Sequence, residues 1–153
     1  MVYFDSSALI KRYVLETGSD LVDRIVARHK PQGTTRLTYV EVHAAFARRK
    51  RERLLSAADY NKIVREFETD FEAFGRIEVR AEIVNSAKDL SIQHGLKTLD
   101  SIHLASALRF GKQIGKPIMF VSADQQLLKA AHTAGLRIID AEHPETVMEK
   151  ESG

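Results

Sequence analysis

Apolar residues fall into short blocks along the chain, and the spacing inside each block predicts an element. Val2 to Phe4 reads as a short buried strand that ends at Asp5, and Ser6-Ser7 then opens a short helix through about Tyr13 or Val14. Leu21, Ile25 and Val26 share one face of a helix from Gly18 to about His29, which Pro31 and Gly33 punctuate. Thr34 to Leu37 is the next strand candidate, and Thr38 starts a helix to about Arg53. Ser56 to about Phe74 is a long amphipathic helix with Tyr60, Ile63, Val64, Phe67 and Phe71 on one stripe. Past Gly75, Ile77 and Val79 suggest a short strand, and Ala81 to His94 a helix closed by Gly95. Thr98 to about Gln113 is helical, and Ile118 to Val121 is the most apolar strand. Gln125 to Thr133 is a helix stopped by Gly135, and Arg137 to Ile139 is the last strand.

Short apolar strands alternating with helices indicate an α/β fold with a mostly parallel sheet of about five strands, covered on both faces. The helical pair between Thr38 and Phe74 departs from simple alternation, and there is no internal repeat. A chain of 153 residues suits one core. The domain is expected over residues 1–141, with the polar segment 142–153 (EHPETVMEKESG) as a poorly packed tail.

Composition then removes several classes. Hydrophobic residues at 44% and charged residues at 29% are ordinary for a globular protein. The absence of cysteine removes disulfides, thiolate catalysis and cysteine zinc sites. No apolar run approaches a membrane span, and Met1 leads into Val-Tyr-Phe-Asp without a signal-like segment. The expectation is a cytoplasmic protein with no membrane partner. Net charge is only +2, but Arg48-Arg49-Lys50-Arg51-Glu52-Arg53 groups five cations in six residues. That run reads either as a phosphate-facing patch or as a solvated helix end whose cations suit the helix dipole.

In open parallel sheets, ligands collect at the carboxyl ends of the strands. Asp5 ends the first strand, Glu41 lies in the first helical turn after the second, and Asp124 sits three residues past Val121. The helix of Asp100 leads down into the Ile118 strand, so its Asp100 end should rise to the same edge. Four carboxylates on one rim repel one another, and a hard divalent ion, Mg²⁺ or Mn²⁺, relieves this. Such an ion can acidify a bound water and offset charge on a leaving oxygen, which points to metal-assisted phosphodiester hydrolysis.

Each acid also has a purely structural reading. Asp5 can cap the helix after it, as Ser6 also can. Thr38-Tyr39-Val40-Glu41 and Ser122-Ala123-Asp124-Gln125 both have capping-box spacing, and Asp100 suits a helix dipole. The set is more informative than its members, because four independent caps need not share one edge. Ser6, Ser7, Ala8, Ala44 and Ala45 put small side chains around the rim. His103, in the apolar stretch IHLASAL, reads as a packed core residue rather than a groove residue. Lys11, Arg12 and Lys97 read as phosphate contacts or as plain surface cations. Tyr39, Phe46, Phe67, Phe71 and Phe74 read as core or dimer surface rather than as base-stacking platforms.

The segments Val2 to Tyr13, Thr38 to Glu41, Leu96 to Ala107 and Phe120 to Asp124 together resemble the motifs of VapC-type PIN domains, in that family's order. The resemblance covers residues 2 to about 140. It implies a three-layer α/β/α fold and a Mg²⁺- or Mn²⁺-dependent ribonuclease site. It also implies that Asp5, Glu41, Asp100 and Asp124 form the acidic quartet, with Asp5 and Asp100 the firmest metal ligands and Ser122 a supporting hydroxyl. A homodimer and a small antitoxin that blocks the metal site are further implications, with the helices from Thr38 to Phe74 as the place for such contacts. Two alternatives stand beside it. One is a haloacid-dehalogenase-like phosphatase, in which Asp5 would be a nucleophile, although the residue two places on is Ser7 rather than a second Asp. The other is a non-catalytic module that binds RNA or protein.

Overall fold

The structure is a computed structural model and describes residues 1–146. Five strands, β1 (Val2–Phe4), β2 (Gln32–Thr35), β3 (Gly75–Ile77), β4 (Met119–Ser122) and β5 (Arg137–Asp140), form one sheet in the order β3-β2-β1-β4-β5. Every pairing is parallel. The helices are α1 (Ser6–Ile10), α2 (Ser19–Arg28), α3 (Thr38–Arg51), α4 (Ala57–Ala73), α5 (Ala81–His94), α6 (Thr98–Ile114) and α7 (Gln125–Thr133).

Strand alternation sorts the core into two halves. Val2, Phe4 and Val121 face one side, where they pack with Leu9, Val22, Val42, Phe46, Phe67 and others from α1 to α4. Tyr3, Ile118 and Phe120 face the other side, against Leu104, Phe110, Ile83 and Leu127 from α5, α6 and α7. The result is the expected three-layer α/β/α arrangement. Phe46, Phe67, Phe71 and Phe74 are core residues as read from their spacing, whereas Tyr39 stays partly exposed and donates its hydroxyl to Glu68.

Several boundaries differ from the periodicity, each for a local reason. Helix α1 ends at Ile10, because Lys11, Arg12 and Tyr13 donate to carbonyls three residues back instead of four. Strand β2 begins two residues earlier than its apolar pattern predicts. Gln32 donates its side-chain amide to the carbonyls of Val26 and His29, and Gly33 lies so close to the Phe110 ring that a Cβ there would stand 2.7 Å from it. Strand β3 likewise starts at Gly75, which pairs with Gly33 under the same ring. Within the expected tail, Ala141 is buried and Glu142 accepts from Lys11 Nζ at 2.8 Å. Residues 147–153 of that segment lie outside the described residues.

Candidate functional site

Pairing of β1 with β4 sets Phe4 beside Val121, and the next few residues of each strand run out at the carboxyl edge. There the backbone N–H of Asp5 donates to the Val121 carbonyl at 3.1 Å. Asp5 is 3% exposed and caps α1, accepting from the Ala8 N–H at 2.9 Å. Ser122 Oγ donates to Asp5 Oδ2 at 2.6 Å and accepts from the Asp124 N–H at 3.0 Å, so one hydroxyl links the two acids. Ser7 Oγ lies 2.8 Å from both Asp5 oxygens and accepts from the Ala123 N–H. Three donors therefore hold the Asp5 carboxylate, which has about four lone-pair directions and keeps room for one more partner.

Glu41 is anchored from two other directions. Its Oε2 accepts from Ser6 Oγ at 2.9 Å, and its Oε1 lies 2.8 Å from His103 Nε2. His103 is buried, and its Nδ1 lies 3.2 Å from the Tyr3 hydroxyl. The capping-box reading of Thr38 to Glu41 does not describe this helix start: the N-cap is Leu37, and the Thr38 hydroxyl meets Thr34 Oγ1 at 2.7 Å instead. Ser122 also leaves its helix uncapped. Asp124 itself caps α7, its Oδ1 accepting from the Leu127 N–H at 2.8 Å.

Asp100 completes the group from the first turn of α6. Its carboxyl is raised in pKa first by burial and then by the charges of Asp124 and Asp5, with His103 and Lys97 pulling the other way. Asp5 is also raised, by burial above all, against His103 and its three hydrogen-bond donors. Burial alone would lower His103, but the Glu41 carboxylate, with Asp5 and Asp100, raises it. The four acids and His103 thus form one electrostatic unit at the carboxyl edge of the sheet.

Among the described residues, no three His, Asp or Glu side chains are already drawn together as a cation cage. The donor chemistry nevertheless fits a hard divalent ion. All the donors are oxygens, burial makes two of the carboxylates resist ionisation, with the charges of Asp124 and Asp5 adding to it at Asp100, and Mg²⁺ takes one or two carboxylates while keeping several waters.

Of the cations singled out in the sequence, Lys97 is exposed and its charge is felt at Asp100. Lys11 is buried and serves the fold, pairing with Glu16 and Glu142, and Arg12 pairs with Asp23 and Asp70. Sequence reasoning placed His103 in the core correctly but did not show its bond to Glu41. The sequence marks Ser7 as a small side chain and as the residue that replaces a second Asp, and its bond to Asp5 follows from a hydroxyl placed two residues after a strand-end Asp.

A profile of the PIN domain matches residues 2–133. The chain belongs to the PIN-domain family. Two ribonucleases of Mycobacterium tuberculosis, VapC45 (strain CDC 1551) and VapC49 (strain H37Rv), are each 34% identical to this PIN domain over 143 residues, covering 93% of the chain and 96% of each relative. Ribonuclease VapC46 of strain H37Rv is 29% identical over 144 residues, covering 90% of the chain and 95% of that protein. These relatives place the PIN domain with the VapC-like group that its motifs resemble. Among solved structures, a crystal structure of a Pyrobaculum aerophilum protein matches with a TM-score of 0.62 at 20% identity, covering 99% of this chain and 97% of that one. A toxin-antitoxin complex from Klebsiella pneumoniae matches at 0.59 and 16% identity, covering 92% and 98%. At such low identities these two likenesses speak for the fold alone.

Proposed function

We propose that this PIN domain is a divalent-metal-dependent endoribonuclease and the toxin of a toxin-antitoxin pair. The observation that carries the reading is the joining of Asp5 to Asp124 through the Ser122 hydroxyl at the edge of the sheet where Ser6 also holds Glu41. The ribonuclease names of its relatives support RNA as substrate, and divalent-metal dependence is general among PIN-domain ribonucleases. Asp5 and Asp100 would hold the ion, with Glu41 and Asp124 completing its surroundings. When bound, Mg²⁺ or Mn²⁺ supplies an acidified water and offsets charge on the phosphate.

The chain's own groups do the positioning. Ser7, Ser122 and the Ala8 N–H fix the orientation of the Asp5 carboxylate. Ser6 and His103 hold one oxygen each of Glu41, which keeps that carboxylate on the rim. In the overall reaction, water adds to phosphorus, one P–O ester bond breaks, and the departing oxygen takes a proton. The phosphatase alternative asks for a second acid two places after Asp5. Ser7 stands there and serves as a hydrogen-bond donor to Asp5.

A small antitoxin covers the rim in the resting pair, a reading supported by the VapC-type motifs of the chain and its identity to VapC ribonucleases. The chain also acts as a homodimer, and Tyr39 and Val40 on α3, with Leu54 in the connection to α4, leave apolar area for protein contacts. It works in the cytoplasm, in keeping with the lack, among the described residues, of any helix long and apolar enough to cross a membrane. The deciding experiment is RNA cleavage with Mg²⁺, Mn²⁺ or chelator, comparing wild type with Asp100→Asn. Metal-dependent cleavage lost in the variant supports the proposal; cleavage that survives chelation or the substitution refutes it.

A further inference from the structure

A groove of about 350 Å³ opens beside the acidic rim. Its inner wall is Ser7 and Ala123, and its outer wall is Arg48 and Arg49. The inner wall is the scaffold of the acids themselves, since Ser7 bonds Asp5 and Ala123 precedes Asp124. Glu41, Ala45, Arg48 and Arg49 follow one another at helical spacings of four, three and one residues, so Glu41 and the two cations lie along one side of α3. Seven residues at 1.5 Å per residue separate Glu41 from Arg48 by about 10 Å along the axis. Ser7, Ala45 and Ala123 are small, which leaves space for a polymer backbone to lie close to the wall.

The charges along this groove divide into engaged and free. Lys11 is consumed by Glu142 at 2.8 Å, Glu16 at 3.4 Å and the Thr17 carbonyl at 2.8 Å. Arg49 shares Glu16 at 3.2 Å. Arg48 is exposed and, among the described residues, has no carboxylate within ion-pair distance. The rest of the basic run points elsewhere: Lys50 lies over the Tyr60 ring at 4.6 Å, and Arg51 does not line the groove. A helix-dipole role would favour cations anywhere in the last turn. It does not account for two of them lining a groove that Ser7 and Ala123, the neighbours of the acids, also line.

We infer that this groove is a phosphate track for single-stranded RNA, in which Arg48 and Arg49 grip the backbone next to the acidic rim. The inference rests on the ribonuclease reading and names the part of the site that holds the polymer. Guanidinium suits the task because its fork matches phosphate oxygens in pairs. Contacts of this kind hold the backbone without reading bases.

The test is binding of a short fluorescent oligoribonucleotide to the full chain in chelator, by anisotropy across a salt series, with cleavage measured separately in Mg²⁺ or Mn²⁺. Arg48→Glu should weaken binding by about ten-fold, the scale of one lost charge-assisted contact. The slope of log affinity against log salt should fall by roughly 0.7. Arg48→Lys should recover most of the binding, and Arg51→Glu, on the same helix end but outside the groove, should change it little. In cleavage, Arg48→Glu should raise KM and leave kcat within about two-fold, as expected for a contact made equally in ground and transition states. Arg48→Gln serves the same purpose should Arg48→Glu fail to fold.

Unchanged binding in Arg48→Glu, or an equal loss in Arg51→Glu, overturns the track. So does an oligo-glutamate peptide that binds more tightly than RNA in an Arg48-dependent way, which would make the groove a seat for an acidic protein segment. Arg48-dependent RNA binding without any metal-dependent cleavage would sustain the track and defeat the ribonuclease reading.

Discussion

His103 Nε2 stands 2.8 Å from Glu41 Oε1, joining the first turn of α3 to the second turn of α6. The pair is buried on the histidine side, so neither partner is free to leave without cost to the other. His103→Ala should destabilise the protein by about 1–3 kcal/mol, the cost of stripping a partner from a buried polar group. Denaturant unfolding measures this, and a change near zero would show that water replaces the imidazole without loss.

The same pair gives a pH dependence. Burial opposes protonation of His103, but Glu41, Asp5 and Asp100 outweigh it and raise the pKa above the ordinary 6.5. The folded state therefore keeps this proton to higher pH than the unfolded chain does. Its stabilising contribution is complete below 6.5 and is lost as pH rises through the folded value. Thermal unfolding of metal-free protein across that window should show wild type losing stability relative to His103→Gln as pH increases. A difference curve that slopes the opposite way would contradict the assignment.

Burial raises the pKa values of Asp5 and Asp100, and the neighbouring carboxylates add to this at Asp100, so at neutral pH their ionised forms weigh against the metal-free fold. Asp100→Asn should raise Tm in chelator. Mn²⁺ should raise the Tm of wild type by mass action and leave that of Asp100→Asn nearly unmoved. An equal metal response in both proteins would remove Asp100 from the proposed ligand set.

Ser122 is fully buried and ties Asp5 to Asp124. Ser122→Ala should lower cleavage about 10–100-fold, the usual effect of losing a group that orients a metal ligand. Activity within two-fold of wild type, with the fold intact by circular dichroism, would mean that Ser7 and Ala8 suffice to hold Asp5.

Gly18 combines a φ of +89° with a contact no other residue can make, since a Cβ there would fall 1.8 Å from the Ala141 carbonyl oxygen. Gly18→Ala should cost at least the roughly 1–2 kcal/mol of a left-handed non-glycine residue, and more because Ala141 must shift. A urea midpoint equal to wild type would refute this packing of the chain's last described segment.

Much of this could be read in one dimension, and the failures are specific. Helices α5 and α7 match their predicted bounds because Gly95 and Gly135 stop them chemically. The start of β2 was hidden because Gln32 and Gly33 are strand residues only by virtue of Val26, His29 and the Phe110 ring. Asp5 and Asp124 were legible as strand-end acids. The capping reading of Glu41 failed because Thr38 turns to Thr34, and the alternative partner, His103, lies 62 residues away. Periodicity reports that a side chain is buried, but it does not report what that side chain touches. The basic run is divided by helix rotation, which sends Arg48 and Arg49 to the groove and Lys50 to Tyr60.

The strand that leads the chain is the middle of the sheet. As the protein emerges from a ribosome, β1 gains β2 early but lacks its other neighbour until Met119 and the residues after it have been made. Asp124 follows later still. A translation product halted before that point would carry an unmatched apolar strand for chaperones to shield and only part of the acidic rim, so the cell meets the complete rim only after the fourth strand has left the ribosome.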